Sequence, residues 1–328
     1  MTGRVTGSVL VTSRSFATSD PVPRHDLEAA GLAVVRADAR HDPEELARLL
    51  PGSVAWIAGT APVTDDLLAA APALRVVARY GVGFDAVDVE AATRRGLWVT
   101  TTPGANSEAV ADLTLALLLD VLRHVSTSAA AVTRGDWSVR RGREVGALTV
   151  GLVGFGRIGQ AVARRLLAFG ATVLAVDPVL TRSPVAGVDL VDLDDLATRC
   201  DVLSLHAPGG RTIVDATLLA RLRPRATLVN TARADLVDEP AVAQALRDDR
   251  LSAYACDTLA AEHGTGDPGP LLSTDLADQV LVTPHLGGQT EEAVSRMGRM
   301  AAADVLAVLR GEEPPHPVNR PDRPGGPR

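Results

Sequence analysis

The sequence predicts an α/β protein of two domains built on parallel sheets. A chain of 328 residues corresponds to two domains of ordinary size. Hydrophobic residues make up 46% of the chain but aromatic residues only 3%, so the cores must be built from Ala, Val and Leu. That composition suits helices packed on a parallel sheet. Short β-branched runs also alternate with helical patterns along most of the chain, which predicts βαβ units.

The first hundred residues contain five predicted strands and four predicted helices. The strands are SVLVT, AVVRA, AWIAG, RVVARY and LWVTT, at residues 8–12, 33–37, 55–59, 75–80 and 97–101. The helices between them are expected at residues 26–30, 43–50, 64–70 and 87–95. This alternation predicts a first parallel sheet.

A long apolar helix over residues 107–126 and an Arg-rich connection lead to a second series. Its six predicted strands are LTVGLVG, ATVLAVD, DVLSLHA, ATLVN, SAYACD and QVLVTPH. Six such strands make a complete doubly wound sheet. A last helix over residues 291–310 should end at Gly311, and the Pro- and Gly-rich tail that follows is expected to be largely disordered at its end.

Charge and cysteine content exclude several classes of function. A net charge of −7 without a basic block argues against partners such as nucleic acid or an anionic membrane. Cys200 and Cys256 are too few for a disulfide framework or a metal cluster, so we expect a reducing, cytoplasmic location and no metal. Neither a signal peptide nor a membrane-spanning stretch is predicted.

A glycine-rich turn lies between the first strand of the second series and an amphipathic helix. The pattern is Gly154-x-Gly156-x-x-Gly159. Gly154 permits the tight turn, Gly156 lets the backbone approach a pyrophosphate, and Gly159 lets the helix pack on the strand. The helix N-terminus offers N–H groups to the anion.

The next strand ends at Asp177, where a carboxylate can accept hydrogen bonds from the adenosine ribose and repel a 2′-phosphate. This favours NAD over NADP. The alternative is an ordinary tight turn with Asp177 as a loop cap.

Polar side chains follow three later strands, at the ends where ligands bind in open α/β sheets. Arg233 can grip a carboxylate with two parallel hydrogen bonds. Asp257 can hold a carboxamide, and Glu262 can orient a histidine. His285, whose ordinary pKa lies near neutrality, is a candidate general acid and base. The alternatives are a surface arginine, two solvated carboxylates and a structural histidine.

Six blocks of sequence together resemble the D-2-hydroxyacid dehydrogenase family, which includes phosphoglycerate, glyoxylate/hydroxypyruvate and D-lactate dehydrogenases. The blocks are RYGVGFDAVD, TPGANSEAVADLTLALLL, LTVGLVGFGRIGQ, VNTARADLVDE, CDTLAAE and VTPHLGGQTEEA, and they extend from residue 79 to residue 293. They occur in the order and at the approximate spacing of that family.

The resemblance implies two doubly wound α/β domains with a cleft between them. A flavodoxin-like substrate domain would comprise residues 1–104 and 289–328, and a Rossmann NAD domain residues 105–288. The cofactor would be NAD and the substrate a small D-2-hydroxy or 2-oxo acid. The family also implies a homodimer through the NAD domain, with residues 137–143 near the partner subunit.

The resemblance further assigns roles to individual residues. Arg233 would hold the substrate carboxylate, His285 would exchange the proton with the substrate oxygen, and Glu262 would hydrogen-bond His285. The residues implied to contact the cofactor are Gly154, Gly156, Arg157, Ile158, Gly159, Asp177, His206, Ala207, Pro208, Thr212, Thr231, Ala232, Asp257 and Gly287, with Asp257 at the nicotinamide carboxamide. The residues implied to contact the substrate are Arg79, Val82, Gly83, Asn106, Arg233 and His285, with the backbone N–H groups of Val82 and Gly83 on its carboxylate.

The chain departs from the family pattern in several places. Pro208-Gly209-Gly210 replaces the usual Pro-Leu-Thr, Ala234 replaces the usual Gly after the arginine, and His263 replaces a common Pro. Residues 59–62 lack the basic residue that phosphoglycerate enzymes often carry there.

Arg79, Arg140 and Arg141 can still meet a phosphate or phosphonate, so such substrates stay open. Formate is disfavoured, because formate dehydrogenases carry Gln at the position of Glu262.

Two alternative functions compete with this one. The first is an NAD(H)-sensing binding protein on the same fold, without turnover. The second is an enzyme of another dinucleotide-binding family, such as a short-chain dehydrogenase, but those use a Tyr-x-x-x-Lys pair and this sequence contains no Lys.

Overall fold

A computed structural model describes residues 7–263 and 268–321. The chain divides into two compact units. The first comprises Met1–Asn106 and Gly288–Arg328, and the second Ser107–Gly287.

The first unit contains a sheet of five parallel strands in the order β2-β1-β3-β4-β5. The strands are β1 Gly7–Val11, β2 Leu32–Arg36, β3 Ser53–Ala58, β4 Val76–Arg79 and β5 Trp98–Thr100. The chain runs outward from β1 in both directions, which is the strand order of a flavodoxin-like doubly wound sheet. The three central strands are almost wholly buried, because helices cover both faces of such a sheet.

The described part of this unit contains five α-helices: α1 Val22–Ala29, α2 Pro43–Leu49, α3 Asp65–Ala69, α4 Val89–Arg94 and α11 Glu291–Leu309. Asp42 caps α2 by accepting a hydrogen bond from Glu45 N at 2.8 Å. The helix α11 packs on β4 and on α1. A Cβ at Gly298 would lie 3.1 Å from Pro23 Cγ, so a small residue is needed where these two helices meet.

The segment after α11 is ordered against β5 as far as residue 321. His316 O accepts a hydrogen bond from Thr101 N at 3.2 Å, and Val318 N donates to Val99 O at 2.7 Å. The predicted disorder concerned the end of this tail, and residues 322–328 lie outside the described residues.

Asp304 anchors this segment to α11. Its carboxylate is fully buried, accepts a hydrogen bond from His316 N at 3.1 Å and lies 3.1 Å from His316 Nδ1. Burial raises the pKa of the Asp304 carboxyl against the lowering effect of His316.

The second unit contains a sheet of seven parallel strands in the order β12-β11-β10-β9-β6-β7-β8. The strands are β6 Thr149–Val153, β7 Thr172–Val176, β8 Val188–Leu190, β9 Val202–Leu205, β10 Ala226–Asn230, β11 Leu251–Cys256 and β12 Val280–Val282. Counted from β6 this is the 3-2-1-4-5-6 order of a dinucleotide-binding sheet, extended by a seventh strand. The prediction of an α/β protein with two doubly wound parallel sheets is therefore confirmed.

The sequence prediction missed β8. This strand has three residues, pairs only with β7 and buries only Val188. It therefore leaves no apolar run that a sequence pattern can reveal.

Among the residues of this unit that the structure describes there are six α-helices: α5 Ser107–Arg123, α6 Val125–Thr133, α7 Arg157–Ala168, α8 Leu193–Arg199, α9 Ala216–Arg221 and α10 Glu239–Arg247. The prediction of one continuous helix over residues 107–126 was wrong at its end. His124 adopts a left-handed backbone with φ 55°, and Asp120 Oδ1 accepts a hydrogen bond from Ser126 N at 2.8 Å, so α6 starts as a separate helix.

No single helix within residues 7–263 and 268–321 is long and apolar enough to cross a membrane. The helices α5 and α6, which are bent by 60° relative to each other, would together be long and apolar enough to span a membrane, by length and composition alone.

Candidate active site

Most of the predicted site residues follow strands of the seven-stranded sheet at its carboxyl edge. Arg233 comes after β10, Asp257 after β11 and His285 after β12, and these three strands are neighbours. The glycine-rich turn follows β6, and His206 follows β9 beside it. Because parallel strands end at the same edge, residues distant in sequence share one side of the sheet.

His285 is paired with Glu262. The imidazole Nδ1 lies 2.8 Å from Glu262 Oε1 and 3.0 Å from Oε2, and the two side chains are 34% and 22% exposed. A carboxylate only accepts hydrogen bonds, so Nδ1 carries the donated proton and Nε2 is the nitrogen that can exchange a proton with a ligand.

The backbone of His285 is left-handed, with φ 56°. A non-glycine residue in this region costs about 1–3 kcal/mol and persists only where its surroundings hold it. His285 N donates to Thr283 O at 2.9 Å, which closes a tight turn at the end of β12.

Asp257 bonds residues on both sides of that turn, a side-chain hydroxyl before it and two backbone N–H groups after it. Its carboxylate is 2% exposed. Oδ1 accepts hydrogen bonds from Leu286 N at 2.7 Å and Thr283 Oγ1 at 2.5 Å, and Oδ2 accepts one from Gly287 N at 2.7 Å. In the structure Asp257 therefore orders the loop that carries His285, while its contact with a nicotinamide carboxamide stays a prediction.

The turn that carries Arg233 is shaped by Asn230, the last residue of β10. This fully buried amide donates from Nδ2 to Arg233 O at 2.8 Å and accepts from Ala232 N at 3.0 Å. Arg233 Nη1 donates to Ala232 O at 2.8 Å. Asn230 is not among the site residues predicted from the sequence. An Asn as the last residue of an apolar strand is the available signal, because its side chain readily bonds the backbone of a turn.

Thr231 lies in the same turn and is nearly buried. Its hydroxyl shares a hydrogen bond of 2.8 Å with the hydroxyl of Thr114 in α5, which fixes the turn against that helix.

The glycine-rich turn has the features that a pyrophosphate requires. Gly154 has φ +92°, and a Cβ there would lie 2.6 Å from the carbonyl carbon of His206, so the position accepts only glycine. Apart from its two chain neighbours, no atom of the described residues lies within 4 Å of a Cβ built at Gly156. The helix α7 begins there without a capping side chain, so its first N–H groups can bind an anion. Three further predicted residues form the start of α7: Arg157, Ile158 and Gly159.

Asp177 lies just beyond β7 and bonds the glycine-rich turn. Its carboxylate accepts hydrogen bonds from Phe155 N at 2.9 Å and Val179 N at 3.0 Å. Burial acts to raise the pKa of this carboxyl, but the backbone N–H groups outweigh it and hold the pKa below its usual value. Asp177 is therefore an anion at neutral pH, as recognition of ribose hydroxyls requires.

The loop after β9 contains four more predicted cofactor residues: His206, Ala207, Pro208 and Thr212. His206 Nε2 lies 3.0 Å from Ser204 Oγ, and burial lowers the pKa of His206 to about 4. The ring is therefore neutral at physiological pH. Thr212 Oγ1 donates to Asp235 O at 3.3 Å, and Asp235 Oδ2 accepts a hydrogen bond from Gly210 N at 2.6 Å.

The remaining predicted substrate residues lie in the first unit. Arg79 ends β4, is nearly buried, and donates a hydrogen bond to the carbonyl oxygen of Tyr80. Val82 and Gly83 form the turn that follows, and Asn106 is the last residue before α5. Their contacts with a substrate carboxylate stay predictions.

Comparison with known sequences identifies close relatives. Residues 115–287 match the sequence family described as D-isomer specific 2-hydroxyacid dehydrogenase, NAD binding domain. The chain is 42% identical over 286 residues to D-3-phosphoglycerate dehydrogenase of Mycobacterium tuberculosis, covering 85% of this chain and 53% of that protein. It is 37% identical over 272 residues to glyoxylate reductase of Korarchaeum cryptofilum, covering 80% and 81%. The chain spans about half the length of the phosphoglycerate dehydrogenases that it matches.

Solved structures resemble this protein over nearly the whole chain. The TT0316 protein from Thermus thermophilus superposes with a TM-score of 0.85 at 37% identity, over 95% of this chain and 100% of that one. A D-lactate dehydrogenase from Aquifex aeolicus complexed with NAD and lactic acid gives a TM-score of 0.82 at 25% identity, over 93% and 96%. The resemblance read from the six sequence blocks is confirmed: the chain belongs to the D-2-hydroxyacid dehydrogenase family, and its second unit carries the NAD-binding domain of that family.

Proposed function

We propose that the protein is an NAD-dependent D-2-hydroxyacid dehydrogenase. The observation that carries this proposal is the 2.8 Å pairing of His285 Nδ1 with Glu262, in a turn that Asp257 holds at the carboxyl edge of the NAD-binding sheet. A merely binding protein has no need of an imidazole oriented by a carboxylate and held in a left-handed backbone.

The residues of the second unit can perform each step that the reaction needs. NAD, when bound, supplies hydride chemistry that side chains lack. Gly156 and the N-terminus of α7 would bind its pyrophosphate, and Asp177 its adenosine ribose.

His285 would carry out the proton transfer. Its Nε2 would give a proton to the carbonyl oxygen of a 2-oxo acid during reduction and take one from the hydroxyl during oxidation. Glu262, on Nδ1, would stabilise the imidazolium and fix the tautomer. Arg233 would bind the substrate carboxylate through two parallel hydrogen bonds and stabilise the negative charge that develops on the oxygen.

The proposal assigns NAD binding to one domain and substrate binding to the other. Residues 105–288 would form the NAD domain, and residues 1–104 with 289–328 the substrate domain. In the substrate domain the backbone N–H groups of Val82 and Gly83 would bind the carboxylate. Arg79 and Asn106 would line the same site.

The substrate class is a small 2-hydroxy or 2-oxo acid. Relatives named phosphoglycerate dehydrogenase, glyoxylate reductase and hydroxypyruvate reductase support this class. A panel of glyoxylate, hydroxypyruvate, pyruvate, 3-phosphohydroxypyruvate and a phosphonate analogue, with NADH oxidation as readout, identifies the side chain that the protein accepts.

Replacing His285 with Ala tests the catalytic assignment. Turnover should fall by about 10²–10⁴-fold, because the proton donor is lost, while the Kd for NADH changes little. Glu262→Gln should lower turnover less, since an amide can still bond Nδ1. His25→Ala, at an exposed position of α1, is the matched control. Unchanged turnover in the His285 variant would refute the assignment, and NADH binding without oxidation across the panel would favour the NAD(H)-sensing alternative.

We also propose a cytoplasmic homodimer that associates through the NAD domain. Four exposed apolar side chains on α6 and the connection after it support this: Val125, Val132, Trp137 and Val139. Trp137 is 77% and Val139 96% exposed, the two lie two residues apart in the chain, and clusters of exposed apolar side chains mark association surfaces. Cys200 and Cys256 are both free and buried, as suits a reducing compartment.

The oligomeric state tests this surface. Sedimentation should show a dimer that Trp137→Asp with Val139→Asp converts to a monomer. Val179→Asp, at a residue 83% exposed elsewhere on the unit, should leave the dimer intact. A wild-type monomer at micromolar concentration would contradict the proposal.

A further inference from the structure

The loop after β9 and the segment after β10 run side by side and are joined by several hydrogen bonds, two of which Asp235 makes. Asp235 Oδ2 accepts a hydrogen bond from Gly210 N at 2.6 Å. Thr212 Oγ1 donates to Asp235 O at 3.3 Å, and Ile213 N donates to Leu236 O at 2.8 Å. The first and shortest of these bonds joins a carboxylate to the tip of the neighbouring loop.

Both glycines at the tip of that loop disfavour a side chain, Gly209 for lack of space and Gly210 because of its backbone conformation. A Cβ at Gly209 would lie 2.8 Å from Asp235 Oδ1 and 3.2 Å from Arg233 Cγ. Gly210 has φ +98°, a conformation that L side chains rarely adopt. The backbone at Gly209 is therefore packed against the Asp235 carboxylate and the stem of Arg233, so the two segments are in direct contact at this point.

We propose that Asp235 is a positioning residue that couples the loop at residues 206–212 to the Arg233 turn. The inference rests on the proposed function, in which that loop contacts the cofactor and Arg233 binds the substrate carboxylate. Binding of the dinucleotide orders the loop, the Asp235–Gly210 bond transmits that order to the turn, and Arg233 is presented to the 2-oxo acid. Because such coupling is reciprocal, binding of the substrate carboxylate raises the affinity for the dinucleotide by the same factor.

The physical consequence is a specific kinetic signature. Hydrogen bonds from N–H to a carboxylate are among the stronger ones, so the contact restrains a loop that otherwise has two glycines at its tip. Removing the carboxylate leaves the Arg233 charge and the His285–Glu262 pair intact. Without the Asp235 carboxylate the 2-oxo acid binds more weakly, so its KM rises, while kcat changes much less.

Two variants at this position test the coupling. With Asp235→Ala at saturating NADH, KM for the 2-oxo acid should rise by about 3–10-fold while kcat stays within about twofold. Asp235→Asn keeps an oxygen that can accept from Gly210 N, so KM should return to within about twofold of the wild type. In the cofactor-free protein, amide hydrogen exchange of peptides covering residues 206–214 should be faster for Asp235→Ala and unchanged for Asp235→Asn.

Asp215→Ala is the matched control, because Asp215 caps α9 through Leu218 N at 2.8 Å and its loss lowers stability without touching the Arg233 turn. Faster exchange in Asp235→Ala with an unchanged KM would overturn the coupling. Unchanged exchange of residues 206–214 in Asp235→Ala would show that the Asp235–Gly210 hydrogen bond does not order the loop. Absence of turnover in the wild type would defeat the proposed function, and the exchange comparison would still decide whether the contact orders the loop.

Discussion

Replacing Asp257 with Ala removes the acceptor that holds the His285 turn. Three donors lose an acceptor: the N–H groups of Leu286 and Gly287, and the hydroxyl of Thr283, which keeps a longer contact of 3.4 Å with Cys256 O. Only the Gly287 bond is buried, so water can replace much of the other two. A buried donor left without a partner costs about 1–3 kcal/mol, and we expect a total loss of about 2–4 kcal/mol in the free energy of unfolding.

The effect on turnover should be larger than this loss of stability suggests. His285 keeps its left-handed backbone only because the bonds on either side of it hold the turn. Released from them, the imidazole moves away from its productive position, and a displacement of about 1 Å can lower the rate about 10²-fold. We therefore expect kcat to fall by about 10²-fold in Asp257→Ala, with an intermediate loss in Asp257→Asn, whose amide keeps one acceptor oxygen.

Steady-state kinetics at saturating NADH and urea unfolding measure the two effects on the same preparation. Asp192→Ala is the control: it removes the cap of α8, a hydrogen bond from Asp195 N at 2.7 Å, and should cost about 1 kcal/mol with no change in kcat. A kcat within about threefold of the wild type in Asp257→Ala would show that the turn does not depend on this carboxylate.

Three further predictions concern the cofactor site and the first unit. Asp177→Ser should lower the preference for NADH over NADPH in kcat/KM by about tenfold or more, because the charge that repels a 2′-phosphate is removed; a wild type that prefers NADPH would contradict this. Gly154→Ala forces a Cβ to within 2.6 Å of neighbouring backbone at φ +92°, so fluorescence titration should show at least about tenfold weaker NADH binding. Gly52→Ala is the control, because apart from the two chain neighbours no described atom lies within 4 Å of the added Cβ, and it should bind NADH normally. Equal NADH affinities for Gly154→Ala and the wild type would refute the steric argument. His316→Ala takes the ring from the buried Asp304 carboxylate and should lower the free energy of unfolding by about 1–3 kcal/mol in urea; a change below about 0.5 kcal/mol would contradict the role of this pair.

The features of the fold that were predictable from sequence are those with a local signal. Apolar β-branched runs marked eleven of the twelve strands, because a buried parallel strand needs such a run. The short edge strand β8 lacks one. The break between α5 and α6 was also hidden, since it depends on a left-handed His124 in a stretch without Gly or Pro.

In the candidate active site, too, only features with a local sequence signal were predictable. Polar residues after apolar strands were visible in the sequence, and so were Arg233 and His285 as candidates. The contacts that position them were not visible, because they join the ends of different strands. The three bonds of Asp257 to the end of β12 and the bond of Asp235 to Gly210 depend on which strands are neighbours, and strand order is not a local property of the sequence.

The placement of α11 in the first unit imposes an order on events during synthesis. The sheet of β1–β5 leaves the ribosome first, yet the helix that packs on β3, β4 and β5 is translated only after the whole second unit. Until then the nascent chain keeps part of an apolar sheet uncovered, while residues 107–287 already contain every strand of their own sheet. Completion of the earlier unit therefore waits for the later one, and the interval is a time when chaperones can bind and misfolding can begin.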